Sequence, residues 1–242
     1  MSASHAAPDE ASHPDTQWQI LFRAGAMASL IMVALIPIQL FIFAVWPPPV
    51  TVSEWFTLFR NNWLLGLLSL DLLYIVNNVL LVLIYLALYI ALKKAAEAGM
   101  LIALVLGLVG VAAYFASNTS FEMLSLSSQY AAAATEAQRS VLLAAGQAML
   151  AVYKGTAFNV YYVLNGIALV IIAGVMLRST VFSRATAYAG LLGGVLMVIP
   201  STAGTLGVIF SIASLVPWTV FTVLVALKLS QLGHPAAEAF RV

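Results

Sequence analysis

Residues 63–94 read WLLGLLSLDLLYIVNNVLLVLIYLALYIALKK, and Asp71 is the only charge before the closing pair Lys93-Lys94. At about 1.5 Å of rise per residue such a run outreaches the roughly 30 Å hydrocarbon core of a bilayer. A backbone in lipid must satisfy its own N–H and C=O groups, so the run is predicted to be a transmembrane helix with the two lysines among the headgroups. Outward from it, five more apolar stretches of similar character follow, and the spans are predicted at about 18–46, 63–92, 99–117, 156–177, 187–203 and 206–228. The first is bracketed by Trp18 and Trp46, rings that favour the interface, and stops at Pro47-Pro48-Pro49. The expected fold is an all-α, polytopic six-helix membrane bundle.

Composition supports the same class. Of 242 residues 63% are hydrophobic and 8% charged, with a mean hydropathy of +1.02, which excludes a water-soluble globular domain. A formal net charge of +1 offers no basic surface for nucleic acid. With no cysteine there is no disulfide, no thiolate metal ligand and no thiol nucleophile. His5, His13 and His234 fall in the polar tails, so no histidine pair is expected within a span to hold a metal. No cofactor is expected.

Residues 1–17, broken by Pro8 and Pro14, read as a disordered tail, and 233–242 as a short cytoplasmic tail. The opening lacks the early positive charge and short apolar core of a cleaved signal peptide, so the first span is expected to be retained. Between the third and fourth spans, residues 118–155 are too long for a turn and carry helical patterns. Asn118, Glu122, Ser125 and Gln129 recur at steps of four, three and four, predicting that the third helix runs on with one polar face. Val141, Leu142, Ala145, Met149 and Val152 form an apolar stripe opposite Gln138, Arg139 and Gln147. The segment is read as an amphipathic helical cap. Counting basic residues on alternate sides gives seven (Arg23, Lys93, Lys94, Arg178, Arg184, Lys228, Arg241) against three (Arg60, Arg139, Lys154). By the positive-inside rule both termini are cytoplasmic and the cap is outside. Six spans invite a search for two inverted halves, but the prolines Pro37, Pro200 and Pro217 do not match between halves.

Depth then orders the polar residues. Asp71 lies about 33 Å from Lys93, Glu122 about 35 Å from Gly99 and Lys154 about 36 Å from Arg178 along their helices, which predicts a charged cluster at the outer mouth. Gln39, Asn78, Asn165 and Ser214 fall together in a deeper layer, about 20–24 Å from their cytoplasmic anchors. Asp71, Tyr74, Asn78 and Tyr85 follow steps of three, four and seven, a stripe expected to face inward because lipid offers no hydrogen bonds. Tyr161 with Asn165, and Asn159 with Tyr162, give a second polar and aromatic surface. The candidate ligand or transport residues are therefore Gln39, Asp71, Tyr74, Asn78, Glu122, Lys154, Asn159, Tyr162 and Asn165. An aromatic wall with a few amides suits a small organic ligand. The same amides also serve as interhelical glue, worth about 1 kcal/mol each, which is the reading of a membrane scaffold or regulatory subunit. Ser211, Ser214 and Thr219 are read as bonding their own helix. No nucleophile has a base beside it in sequence and no Gly-rich phosphate loop occurs, so no catalytic residue is assigned; an acid-base pair of Asp71 and Glu122 is the one enzymatic form left. Asn118-Thr119-Ser120 matches a glycosylation sequon. Expected partners are the bilayer, a small molecule, and either another copy of the chain or a second membrane protein.

Three stretches carry a resemblance. Asp71-Leu-Leu-Tyr-Ile-Val-Asn-Asn with Leu83-Ile-Tyr-Leu-Ala-Leu-Tyr, then Arg184-Ala-Thr-Ala-Tyr-Ala-Gly-Leu-Leu, and Pro217-Trp-Thr-Val-Phe resemble a bacterial membrane family known as domain of unknown function four-three-eight-six. The likeness runs from Arg23 to Gly233 and implies a six-span bacterial inner-membrane protein, with no activity, cofactor or site residues attached.

Overall fold

A computed structural model describes residues 14–234, and among them every regular element is helical: α1 (Pro14–Val45), α2 (Val52–Asn61), α3 (Trp63–Ser69), α4 (Leu72–Ser117), α5 (Ser120–Ala132), α6 (Glu136–Tyr153), α7 (Thr156–Leu177), α8 (Arg184–Met197) and α9 (Gly204–Gly233). Most of the two expected tails, with His5, His13 and Arg241, lies outside the described residues. Where the tails are described they are helical at their inner ends, since α1 already starts at Pro14, a residue suited to a first turn. Among the described residues four helical stretches are long and apolar enough to cross a membrane: Gln17–Val45, Leu72–Ala132, Glu136–Leu177 and Gly204–Gly233.

α4 is a hairpin. A straight helix of 46 residues would be about 69 Å long, yet its two ends meet. The Asn118 amide donates to Leu70 O at 3.0 Å, and Tyr85 packs on Gly107. The turn is at Ala96, where φ −162° and ψ 82° leave the helical region. The break falls between Lys93-Lys94 and Gly99, in the stretch that separates the predicted spans 63–92 and 99–117. Glycine at 107 is what lets the arms close, because a Cβ there would stand 2.6 Å from the Tyr85 ring.

α1, α4, α7, α8 and α9 close into a ring in which each packs on the next and α9 returns to α1. The α7–α8 contact is backbone on backbone: a Cβ on Gly166 would lie 2.9 Å from Gly194 O, and one on Gly194 equally close to Gly166 O. Small residues allow such an approach, and dispersion and polar contacts reward it where lipid provides no hydrophobic drive. The interior holds one large core, including Met32, Leu81, Leu88, Ile172 and Phe221.

A second, separate core brings α2, α3, α5 and α6 together around Val52, Trp55, Phe56, Phe59, Leu67 and Met123. This corrects two expectations. The helix predicted from Trp63 to Leu92 is interrupted, because Asn62 caps α3 through Leu65 N and Asp71 takes a left-handed conformation (φ 63°, ψ 33°) that ends one helix and starts the next. The third span also does not run on as one helix, because Asn118 is extended and Thr119 non-helical. The apolar stripe predicted on α6 is only partly covered: Val141 and Val152 are exposed and Met149 packs on this core, joined there by Leu143 and Leu150 from outside the stripe. α2 is fixed by a capping box in which Thr51 and Glu54 satisfy each other's backbone. The Thr51 and Val50 N–H groups hold the Glu54 carboxyl below its usual range. α8 ends at Met197, short of the 203 expected, with Pro200 just beyond.

Candidate functional site

Inside the ring, toward the ends of α4 and α7 that meet the second core, lies a cavity of about 50 Å³, room for a few waters at about 10–15 Å³ each. α4 contributes Tyr74, Asn77, Leu81 and Tyr85, α7 contributes Tyr161, Tyr162 and Asn165, and α9 contributes Ser211, Ser214, Leu215 and Trp218; Met32 and Met197 complete the wall. No lining residue is charged. The spacing three, four, four along α4 is the inward stripe of one helix face.

A chain of hydrogen bonds crosses this wall. The Tyr85 hydroxyl donates to Asn165 Oδ1 at 2.6 Å, the Asn165 amide donates to Tyr161 O at 2.9 Å, and the Tyr161 hydroxyl donates to that of Tyr74 at 3.2 Å. Asn165 is thereby used on both ends of its amide, and Gly110 makes room for it, since a Cβ there would strike the amide. Tyr74, Tyr114 and Tyr161 form a triangle with ring centroids 5.1–6.1 Å apart. Such contacts favour a fixed geometry.

Asn77 is 9% exposed and its buried Oδ1 has no hydrogen-bond partner, while the Ser211 hydroxyl lies against that of Tyr162. A buried acceptor without a donor costs about 1–3 kcal/mol, and the chain bears this cost also at Gln39 Oε1, Ser69 Oγ and Asn78 Oδ1, away from the cavity.

The residues singled out from sequence divide accordingly. Tyr74, Tyr162 and Asn165 line the cavity. Asn78 does not: one position, about 100° round the helix from Asn77, it is fully buried and donates to Tyr74 O at 2.9 Å. The step of four from Tyr74 to Asn78 and the step of three to Asn77 are equally helical, and only the tilt of the packed helix separates them. Gln39 lies away from the cavity and donates to Leu68 O at 3.3 Å. Asn159 accepts a hydrogen bond from Thr202, tying α7 to the α8–α9 connection. Asp71 stands at the junction of the two cores, where its carboxylate accepts from Tyr153 rather than pairing with Lys154. Glu122 and Lys154 are exposed. None of these three charges lines the cavity. Ser214 bonds its own helix, donating to Ser211 O at 2.7 Å. Sequence reasoning missed Asn77, Trp218 and Ser211 as site residues; the first was legible as one of two adjacent amides, while the others carry no mark apart from their place in the ring.

No curated protein and no solved structure matches the chain. A family model described as a domain of unknown function, DUF4386, matches residues 23–229, which takes in part or all of every helix of the ring, and the chain belongs to that family.

Proposed function

We propose that the protein is a multi-pass membrane protein of six spans, formed by α1, the two arms of α4, α7, α8 and α9, that binds or moves a small neutral molecule through the cavity in its ring. The arms of α4 support this count because each exceeds 20 residues, enough for about 30 Å of hydrocarbon; α8, with 14 residues, spans only with the help of its flanking segments. The positive-inside count supports cytoplasmic termini, with the α2–α3–α5–α6 core as an outer cap, and the family resemblance suggests a bacterial inner membrane. The uncharged lining favours a neutral ligand, and the observation that carries the reading is that polar side chains of α4, α7 and α9 meet around one enclosed space.

The alternative is a scaffold or regulatory subunit acting through a membrane protein partner or another copy of the chain. The closed chain Tyr85–Asn165–Tyr161–Tyr74 favours it, since those residues already satisfy one another. The two readings part at Asn77. The native chain has no cysteine, so Asn77→Cys and, on the same helix, the exposed Val79→Cys can be treated with N-ethylmaleimide, which crosses lipid but reacts only with hydrated thiols. The site reading predicts labelling at Asn77→Cys and little at Val79→Cys; equal resistance at both positions supports the scaffold.

A further inference from the structure

We propose that the end of the ring opposite the second core is a docking surface for anionic phospholipid headgroups, gripped by Lys93 and Lys94 at the break of α4 and by Arg178 and Arg184 on the α7–α8 connection. The inference is independent of the cavity reading and starts from charge. The start of α1, the α4 break, the α7–α8 connection and the end of α9 carry Arg23, Lys93, Lys94, Arg178, Arg184 and Lys228 against the acids Asp15 and Glu97. The opposite end balances Arg60, Arg139 and Lys154 with Glu54, Asp71, Glu122 and Glu136.

Packing gathers the cations at one level. A Cβ on Gly99 would stand 3.6 Å from Val175, so the α4 break lies against the last turn of α7, beside Arg178. The Lys93 ammonium is 5.3 Å from the centre of the Trp18 ring, and the Arg23 guanidinium donates to Gly233 O at 2.6 Å. A ring face and a carbonyl hold these cations in place without neutralising them. Arg23, Lys94, Arg178 and Arg184 are exposed. The α7–α8 connection is pinned at three points: Phe182 is buried, Ser179 Oγ accepts from Val181 N and Ser183 Oγ accepts from Thr186 N, both at 3.1 Å. Its two arginines therefore flank a fixed loop, and a guanidinium fork matches the oxygens of a phosphate. Trp18 sets the depth, since amphipathic rings favour the headgroup layer, where lipid phosphates lie. A lysine or arginine near an anionic membrane surface adds about fivefold in affinity.

The test takes the full chain from nanodiscs of equimolar phosphatidylglycerol and phosphatidylcholine and counts the lipids it retains by native mass spectrometry. Phosphatidylglycerol is predicted to be retained over phosphatidylcholine by about tenfold, with the preference falling as salt rises. The pairs K93Q/K94Q and R178Q/R184Q are each predicted to reduce it by about threefold or more. K93R/K94R, which keeps the charge, and R60Q/R139Q, at the other end, are predicted to leave it unchanged. Equal retention of the two lipids, or an equal loss in R60Q/R139Q, would overturn the surface. Displacement of the lipid by inorganic phosphate, but not by sodium chloride of the same ionic strength, would make a soluble anion the ligand and overturn the membrane as its source.

Discussion

Asp71 is the one described non-glycine residue with positive φ, and its position explains why an acid interrupts an otherwise apolar run. Left-handed backbone costs most residues roughly 1–2 kcal/mol, and Asp and Asn bear it best because a short polar side chain bonds locally. Here the side chain takes the Tyr153 hydroxyl, and the backbone oxygen takes that of Tyr114 at 3.4 Å. The residue therefore joins α3, α4 and α6 at one point. Asp71→Asn keeps the backbone preference and an acceptor, whereas Asp71→Val loses both. Thermal unfolding in detergent is predicted to show Asp71→Val less stable by about 2–4 kcal/mol and Asp71→Asn by about 1 kcal/mol or less; equal losses would mean that charge rather than conformation decides. From sequence Asp71 stood out by its cost in lipid and was read as a mouth charge. Its role as a corner was not legible, because dihedral angles leave no mark on a periodic pattern.

At the scale of elements, the hairpin of α4 was legible as two predicted spans separated by Lys93-Lys94, because the bilayer sets the length of an apolar run and charge marks its ends. Less legible was how the arms touch. Tyr85 lies on Gly107 and Asn165 on Gly110, so two glycines three apart in a run that reads simply as apolar fix both contacts. Gly107→Leu is predicted to force the arms apart and lower stability by about 2–4 kcal/mol, while Gly174→Ala, with nothing within 4 Å of its new Cβ, is neutral or slightly stabilising through helix propensity. A comparison of melting midpoints checks the pair, and similar losses at both positions would contradict the hairpin contact. The segment 118–155 was recognised as helical, but its partners α2 and α3 were hidden: Trp55, Phe56 and Phe59 bury one face of a ten-residue helix too short to register as a span, and Trp63–Ser69 was absorbed into the neighbouring apolar run.

For the whole molecule, the described residues form two separate cores, and the proposed topology has the α2–α3–α5–α6 core outside the membrane. Cysteines at the exposed positions Glu122 and Lys94 test this in intact cells: a membrane-impermeant maleimide is predicted to label Glu122→Cys and not Lys94→Cys, and the reverse pattern would invert the topology. The ring itself encloses a space that its own polar groups leave incompletely satisfied. Polar side chains at matched depth made such a layer legible, since Asn165 and Ser214 do share the cavity wall, but Gln39 and Asn78 at the same depth face elsewhere. Depth along a helix can be counted from sequence, whereas rotation about its axis is decided by neighbours. The proposed site separates two amides of the cavity wall, with Asn77 kept for a ligand and Asn165 holding the helices together. Two substitutions measured side by side test it most directly. The account predicts that Asn77→Leu leaves thermal stability unchanged or raises it by about 1 kcal/mol, because it removes an unpaired acceptor, and that Asn165→Leu lowers it by about 1–3 kcal/mol, because it strands the Tyr85 hydroxyl. A loss at Asn77→Leu as large as that at Asn165→Leu would make both amides glue and contradict the account.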